Sequence, residues 1–165
     1  RQRVEAGRQV LILVKTTEHA LQIRYWLPEA IAVFKTATPD RWEQLTRLNI
    51  TRPGEQPGYN DKQLQEVQEK FRSRHYMVVI ANSVWFKGKD FPSLDVVVRG
   101  DAISTAVANT QLSGRLSRTY EGKPYGELID CIDAFDSGLS VRWHKRRRFY
   151  KSQGWEIGAV GGSGS

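Results

Sequence analysis

Two arginines, Arg115 and Arg118, lie three residues apart behind a glycine in the segment QLSGRLSR. If this segment is helical, Gln111 shares a face with both, since the three positions are related by four and three residues. An amide and two guanidinium groups on one face suit recognition of a phosphate chain, because arginine presents planar, bidentate donors to phosphate oxygens. A solvated helix face with incidental ion pairs would show the same spacing, so spacing alone leaves both interpretations open.

Glycine inside this helix would cost about 1 kcal/mol relative to alanine. Gly114 is therefore easiest to understand if another group must approach the backbone closely at that position. The neighbouring face carries Ala108, Leu112 and Leu116. These aliphatic side chains are predicted to pack on a sheet.

A second candidate site lies in the segment NSVWFKGKDFP, which follows an apolar run. Gly88 stands between Lys87 and Lys89, with Asp90 beyond. Glycine there permits a backbone conformation that other residues rarely adopt, or the close approach of a ligand. Asp90 could accept hydrogen bonds from a hydroxyl such as that of a ribose, while the lysines would attract phosphates. A turn with exposed charged residues is the alternative interpretation.

A third candidate is the segment VKTT, which ends an apolar run and precedes a helical pattern. It supplies Lys15 and the hydroxyls of Thr16 and Thr17 where backbone N–H groups open a helix. Helix N-termini bind phosphate readily. A plain N-cap explains the threonines as well.

Residues 139–157 form a basic segment that holds most of the net charge of +7. It has one acid, Glu156, against six basic residues: Arg142, Lys145, Arg146, Arg147, Arg148 and Lys151. A localised basic excess favours a polyanion partner, nucleic acid first. Arg146 and Arg147 are the candidate phosphate contacts. A solubilising tail would show the same composition.

Aromatic residues interleave with this basic cluster: Trp143, Phe149, Tyr150 and Trp155. This composition suits phosphate contact combined with base stacking. In the alternative, a terminal helix docks its aromatic side chains on the domain and leaves the arginine heads in solvent. The two arrangements are compatible with each other.

Apolar runs alternate with amphipathic segments along the rest of the chain. Strands are predicted at 10–14, 31–34, 76–81, 94–100 and 126–133, and helices at 16–27, 38–45, 61–74 and 102–118, with a surface loop over 49–60. Crossovers of this length predict an α/β fold, a mostly parallel sheet with helices on both faces. In such sheets functional residues gather at the carboxyl ends of the strands, where three loops are expected: KTT, NSVWFKGKDFP and RGDAIS.

The bulk composition is that of one globular domain, with 165 residues, 39% hydrophobic and 26% charged. No apolar run approaches the ~18 residues of a membrane span, and no signal peptide opens the chain. A single cysteine, Cys131, excludes an internal disulfide and favours a reducing, intracellular compartment. Three scattered histidines give no metal-ligand spacing.

The three candidate segments, taken in order, resemble motifs of the second RecA-like domain of superfamily 2 helicases and translocases, which include the DEAD-box and DEAH-box enzymes. VLILVKTTEHALQI resembles motif IV, VVIANSVWFKGKDFPSLDVVV resembles motif V with its Gly-x-Asp-x-Pro core, and QLSGRLSR resembles motif VI. The resemblance implies a RecA-like fold over residues 1–133. A basic aromatic extension would follow at 134–157, and a flexible Gly/Ser tail at 158–165.

By this resemblance, Arg115 and Arg118 would be arginine fingers that reach the γ-phosphate of ATP and stabilise charge in the transition state. The other cleft residues would be Gln111, Gly114, Gly88 and Asp90. Ser83, Lys15 and Thr16 would contact the phosphates of the nucleic acid. Their positive charge makes Lys87, Arg146 and Arg147 further candidate contacts, although the resemblance does not specify the basic segment that holds the two arginines. Two positions depart from the family pattern: Leu112 stands where many relatives carry arginine, and Lys89 replaces an aliphatic residue.

The chain has neither a Gly-x-x-x-x-Gly-Lys-Ser/Thr phosphate loop nor an Asp-Glu-x-Asp/His box. Both belong to the first RecA-like domain of the family, which would hold most of the ATP and Mg²⁺. The resemblance therefore predicts half of a nucleic-acid helicase, with DNA favoured over RNA, that is inactive as an ATPase alone. The alternatives are a non-enzymatic nucleic-acid-binding or regulatory domain, and the translocase part of a restriction or remodelling assembly.

Overall fold

A computed structural model describes residues 1–82, 85, 90–101, 112, 114, 116, 121–123, 125–131 and 137–158 of the chain. Five strands form one sheet: β1 (Val10–Val14), β2 (Ile31–Val33), β3 (Val78–Asn82), β4 (Val96–Gly100) and β5 (Glu127–Asp130). Their order is β2-β3-β1-β4-β5, and every described pairing is parallel. The predicted parallel α/β fold is confirmed.

Five helices are described: α1 (Gln2–Glu5), α2 (Thr17–Trp26), α3 (Pro39–Arg47), α4 (Asp61–Arg72) and α5 (Ser137–Ser152). The predicted helices that became α2, α3 and α4 are confirmed. The helix predicted over 102–118 lies largely outside the described residues, although positions 112, 114 and 116 are helical. The sequence does not predict the short helix α1, because its residues show no apolar pattern.

Alternation along β1 divides the core into two layers, because successive side chains of a strand point to opposite faces. Leu11 and Leu13 pack on one face with Val67 and Phe71 of α4. On the other face, the layer around Ile12 contains buried residues of α2 and α3: Ala20, Leu21 and Leu45. All five residues of β1 are buried, as expected for the central strand of a sheet covered on both sides.

Local capping explains where the helices begin. The Thr16 hydroxyl oxygen accepts a hydrogen bond from the His19 amide at 3.2 Å and caps α2. Thr38 occupies the predicted N-cap position of α3 but makes no side-chain cap bond, and Pro39 begins that helix. Asn60 and Gln63 form a reciprocal capping box at α4.

The polar loop over 49–60 is confirmed, and a buried ion pair holds it to the domain. Arg24 of α2 is 5% exposed and pairs with Glu55 in the loop. Burial raises the pKa of the Glu55 carboxyl, but hydrogen bonds from Arg24 and from the Arg52 amide outweigh it, so the pKa lies below its ordinary value. A Cβ at Gly58, where φ is +137°, would overlap the backbone of Lys35 and Thr36.

Candidate nucleotide and nucleic-acid site

The register of the sheet brings the ends of three strands to one edge. Val14, the last residue of β1, is level with Asn82 at the end of β3 and with Gly100 at the end of β4. The segments that follow these three adjacent strands therefore start side by side at the carboxyl edge. This edge is where ligands bind in open parallel sheets.

Lys15 and Thr16 leave the central strand at this edge. Lys15 is exposed directly after β1. Thr16 uses its hydroxyl oxygen as the N-cap of α2, the arrangement that the sequence left open as the alternative to phosphate binding. The Lys15 ammonium group is thus available for an anion, while the main task of Thr16 is to begin the helix.

The segment after β3 is anchored on its C-terminal side. Phe91 is 1% exposed, and its ring packs edge-on against Phe71 with centroids 5.1 Å apart and stacks on Trp85 at 5.6 Å. Asp90 precedes this anchor and is half-buried, and its carbonyl accepts a hydrogen bond from Arg72 Nε at 3.4 Å. The predicted site residues Ser83, Lys87 and Gly88 lie outside the described residues.

The motif helix is described at three positions that show how it packs. Leu112 and Leu116 are 3% and 1% exposed in the core layer that contains Leu11, as the sequence predicts for this face. Leu112 and Leu116 therefore anchor this helix in the core. The candidate residues Gln111, Arg115 and Arg118 lie outside the described residues.

Gly114 is exposed, and a Cβ built there would meet no atom of the described residues within 4 Å. The close approach that the sequence predicts at Gly114 therefore does not come from the described part of this domain.

The same helix is held at Leu116 by the segment that leads into β5. Lys123 Nζ donates a hydrogen bond to the Leu116 carbonyl at 2.8 Å. Burial lowers the pKa of Lys123. A Cβ at Gly126 would overlap the Leu116 carbonyl, so only glycine permits this approach. These contacts tie the helix to the edge of the sheet.

A buried polar network that sequence reasoning missed lies beside this edge, between β4, β5 and α5. Arg146 makes two hydrogen bonds to the Asp130 carboxylate, from Nε at 2.7 Å and from Nη2 at 2.9 Å. The Tyr150 hydroxyl donates to Asp130 Oδ2 at 3.0 Å and accepts from Arg99 Nη1 at 3.1 Å. Arg99 also pairs with Asp101 at 3.1 Å.

Electrostatics holds this network in one protonation state. Burial raises the pKa of Tyr150 to about 12, so the phenol stays protonated and can donate to Asp130. Burial alone would lower the pKa of Arg146, but its hydrogen bond and attraction to Asp130 outweigh this and raise it.

The one sequence signal that could have indicated this network is the charged pair Arg99 and Asp101 at the end of an apolar strand.

The prediction that Arg146 contacts nucleic acid needs correction. Its side chain is among the most buried of the described residues, at 1% exposure, and is committed to Asp130. A guanidinium in that position cannot reach a ligand outside the domain. Arg147, the other candidate, is exposed, with its guanidinium 5.4 Å from the centroid of the Trp143 ring.

The predicted docking of the C-terminal aromatic residues is confirmed for two of them. Tyr150 is 8% exposed, and Trp155 stacks on it with centroids 6.0 Å apart and packs against the core. α5 is therefore attached to the domain through its aromatic face and Arg146. Its remaining basic side chains lie on the solvent side.

Comparisons with known proteins place these features in context. No family model matches the chain. The chain is 35% identical over 66 residues to the ATP-dependent DNA helicase MPH1 of Candida glabrata, covering 40% of this chain and 6% of that protein. It is 29% identical over 119 residues to MPH1 of Saccharomyces cerevisiae, covering 72% of this chain and 11% of that protein.

The chain resembles the C-terminal RecA-like domain of superfamily 2 helicases. It spans only about a tenth or less of the length of these MPH1 relatives. Among solved structures, the C-terminal domain of the DEAD-box protein Dbp5 is 18% identical with a TM-score of 0.44, covering 89% of this chain and 85% of that one. T4 UvsW is 14% identical with a TM-score of 0.47, covering 88% and 39%.

The all-parallel sheet with helices on both faces agrees with the RecA-like architecture that the motifs imply. Within the described residues, no helix is long and apolar enough to cross a membrane, and no three His, Cys, Asp or Glu side chains are grouped so as to hold a metal ion.

Proposed function

We propose that this chain is the C-terminal motor domain of an ATP-dependent nucleic-acid helicase, with DNA as its substrate. The observation that carries the proposal is the arrangement of the carboxyl edge. The segments resembling motifs IV and V contain β1 and β3, whose carboxyl ends lie side by side, and the helix resembling motif VI follows β4, which pairs with β1. Similarity to ATP-dependent DNA helicases supports the same function.

The nucleotide would bind where this edge faces a second domain. Arg115 and Arg118 would reach the γ-phosphate and stabilise the charge that develops as phosphoryl transfer proceeds. Gln111 would position that face. The exposed Gly114 supports this geometry, since it leaves room for a close approach from outside the described part of the domain. Gly88 and Asp90 would complete the cleft, with Asp90 near the ribose.

The nucleic-acid track would run along the same edge. Lys15, Thr16, Ser83 and Lys87 would contact phosphates there. Lys15 is exposed beside the N-terminus of α2, whose backbone N–H groups favour an anion. Arg147 would add a contact from α5. Arg146 is omitted because it is buried.

ATP and Mg²⁺ would be held mainly by the first RecA-like domain, because this chain has no phosphate loop or acidic box. Alone, the chain would neither hydrolyse ATP nor bind it tightly. Closure of the cleft on ATP would engage the two arginines, and hydrolysis would release them.

The test supplies the first RecA-like domain, fused or in trans, and measures DNA-stimulated ATP hydrolysis. Arg115→Ala and Arg118→Ala should each lower turnover by about 10³-fold or more while DNA binding is retained. Arg47→Ala is the matched control, since Arg47 is an exposed arginine on α3 that pairs with Glu43. Unchanged turnover in both finger variants would contradict the assignment. Absence of hydrolysis with intact DNA binding would favour a non-enzymatic binding domain.

A further inference from the structure

The solvent side of α5 carries a compact basic face. His144, Arg147, Arg148 and Lys151 are exposed and line one shallow cavity of about 280 Å³. Their spacing explains this, because residues four apart are neighbours on a helix: His144 with Arg148, and Arg147 with Lys151. Arg142 and Lys145 are exposed on the same helix.

Within the described residues, this face has no acidic partner of the kind that most other arginines have. α5 contains no acidic residue, and in the described part of the chain its ion pair is the buried one between Arg146 and Asp130. Nearly every described arginine outside α5 pairs with a carboxylate. Like charges three and four residues apart repel each other. An external anion would relieve that repulsion.

The basic face is held rigidly because the opposite side of α5 is anchored. Arg146 and Tyr150 both bind Asp130 at the end of β5, and Trp155 stacks on Tyr150. The exposed cations are therefore presented by a fixed helix rather than by a mobile tail. A preorganised surface loses less conformational entropy when it binds.

The aromatic side chains of α5 and of the segment after it are not offered as a stacking platform. Tyr150 is buried, and Phe149 is half-buried beside it. Trp155 packs against the core, and Trp143 is half-buried beneath the Arg147 guanidinium. Binding of single strands depends strongly on bases stacked on aromatic rings. A cationic face without such rings suits a partner whose bases are already stacked inside a helix and whose phosphates are outside.

We propose that the exposed face of α5 binds the phosphate backbone of duplex DNA without reading its sequence. Its residues are Arg142, Lys145, Arg147, Arg148 and Lys151, with His144 between them. This deepens the proposed function, on which it rests for the choice of DNA, by naming a surface that holds duplex beside the motor. It adds to the track after β1 and β3, which it joins through Arg147, and requires neither ATP nor a second domain.

The experiment measures binding of a fluorescein-labelled DNA duplex to the full 165-residue chain by anisotropy, without nucleotide, between about 50 and 200 mM salt. Arg147→Gln, Arg148→Gln and Lys151→Gln are combined in one variant. The control combines Arg47→Gln, Lys62→Gln and Lys70→Gln, which removes the same charge from exposed positions on α3 and α4. Far-ultraviolet circular dichroism checks that both variants are folded.

The α5 variant should bind duplex at least ~10-fold more weakly than the control. The negative slope of log K against log salt should become shallower by about 2.7, since each phosphate contact contributes about −0.9. An oligo-dT strand should bind the unaltered chain more weakly than duplex. Equal affinities and slopes in the α5 variant and the control would contradict the proposal that the α5 face binds DNA. If oligo-dT binds the unaltered chain as tightly as duplex does, and the α5 variant weakens both equally, the choice of duplex as the partner is wrong.

These outcomes are distinguishable from failure of the motor. Loss of ATP hydrolysis in the two-domain protein, with duplex binding intact, would overturn the proposed function and leave this surface standing. Hydrolysis that depends on Arg115 and Arg118, together with duplex binding that the α5 variant does not weaken, would support the proposed function and overturn this surface.

Discussion

The amino and carboxyl edges of the parallel sheet both use pairs of arginine and carboxylate side chains, but these pairs serve different purposes. At the amino edge, Arg3 and Arg8 pair with Glu127, and Arg74 pairs with Asp95. These pairs tie α1, the turn after α4 and the strand starts to one another. At the carboxyl edge, a comparable network holds a helix whose outer face remains charged and exposed, beside the candidate site. The first arrangement stabilises the fold alone, and the second stabilises and presents a surface.

Gln9, at the amino edge, uses all of its polar groups in hydrogen bonds within the domain. Its side chain is fully buried, donates to the carbonyls of Phe71 and Tyr76, and accepts from the Ser93 hydroxyl at 2.9 Å. Its backbone amide donates to Asp95 at 2.7 Å. Such saturation leaves nothing at Gln9 for a ligand, whereas Lys15 at the opposite end of β1 is exposed.

The largest expected effect comes from breaking the carboxyl-edge network. Asp130→Ala leaves the Arg146 guanidinium buried without its carboxylate, and should lower the free energy of unfolding by about 3–5 kcal/mol. Urea denaturation measures this. The double variant Asp130→Leu with Arg146→Met should recover much of the loss, because the buried guanidinium of Arg146 is removed together with its carboxylate partner. A loss below about 1 kcal/mol in the single variant would mean that α5 is not anchored by this pair.

A second prediction concerns alkali, since the Tyr150 pKa is raised from its ordinary value of 10.0 to about 12. The folded state binds this proton more tightly than the unfolded state does. The resulting contribution to the free energy of unfolding is complete below pH 10 and is lost as the pH rises through about 12. Over that range stability should fall by about 2–3 kcal/mol more in the unaltered protein than in Tyr150→Phe. Parallel alkaline profiles for the two proteins would contradict the assigned protonation state.

A third prediction addresses the amino edge. Gln9→Ala removes the donor from two buried carbonyls and the acceptor from Ser93, and should cost about 2 kcal/mol of stability. Because this edge carries no proposed contact, duplex binding by the folded variant should equal that of the unaltered chain. A matched anisotropy titration makes the comparison. Weaker DNA binding by a fully folded Gln9→Ala variant would contradict the proposed difference in role between the two edges.

The smallest effect is expected in acid. The hydrogen bond from Arg3 lowers the pKa of Glu127, and its attraction to Arg3 and Arg8 adds to this against the opposing effect of burial. The contribution of the ionised Glu127 to the free energy of unfolding is therefore complete above its ordinary pKa of 4.5 and is lost as the pH falls below that value. It should amount to about 1 kcal/mol or less, because the pair is partly exposed. Thermal unfolding of Glu127→Gln should show a flatter acid profile.

Much of the fold could be predicted from local signals. The apolar run 10–14 predicts a strand buried on both faces, and the spacing of Leu112 and Leu116 predicts their packing face. Both are local consequences of period, and both are confirmed. The candidate cleft is predicted only through its motifs, and Gln111, Arg115 and Arg118 remain predictions. Lys15 and Asp90 are placed by the sheet, in positions compatible with the prediction.

The sequence by itself determined the alternation of strands and helices, the parallel sheet and the concentration of charge after residue 138, because periodicity, capping residues and composition are local properties. Only the tertiary structure decided which arginine of the run 146–148 is buried. That choice depends on how α5 rotates against Asp130, a residue 16 positions away whose carboxylate Arg146 meets in space. Identical side chains in sequence thus became an anchor and a surface through their direction alone.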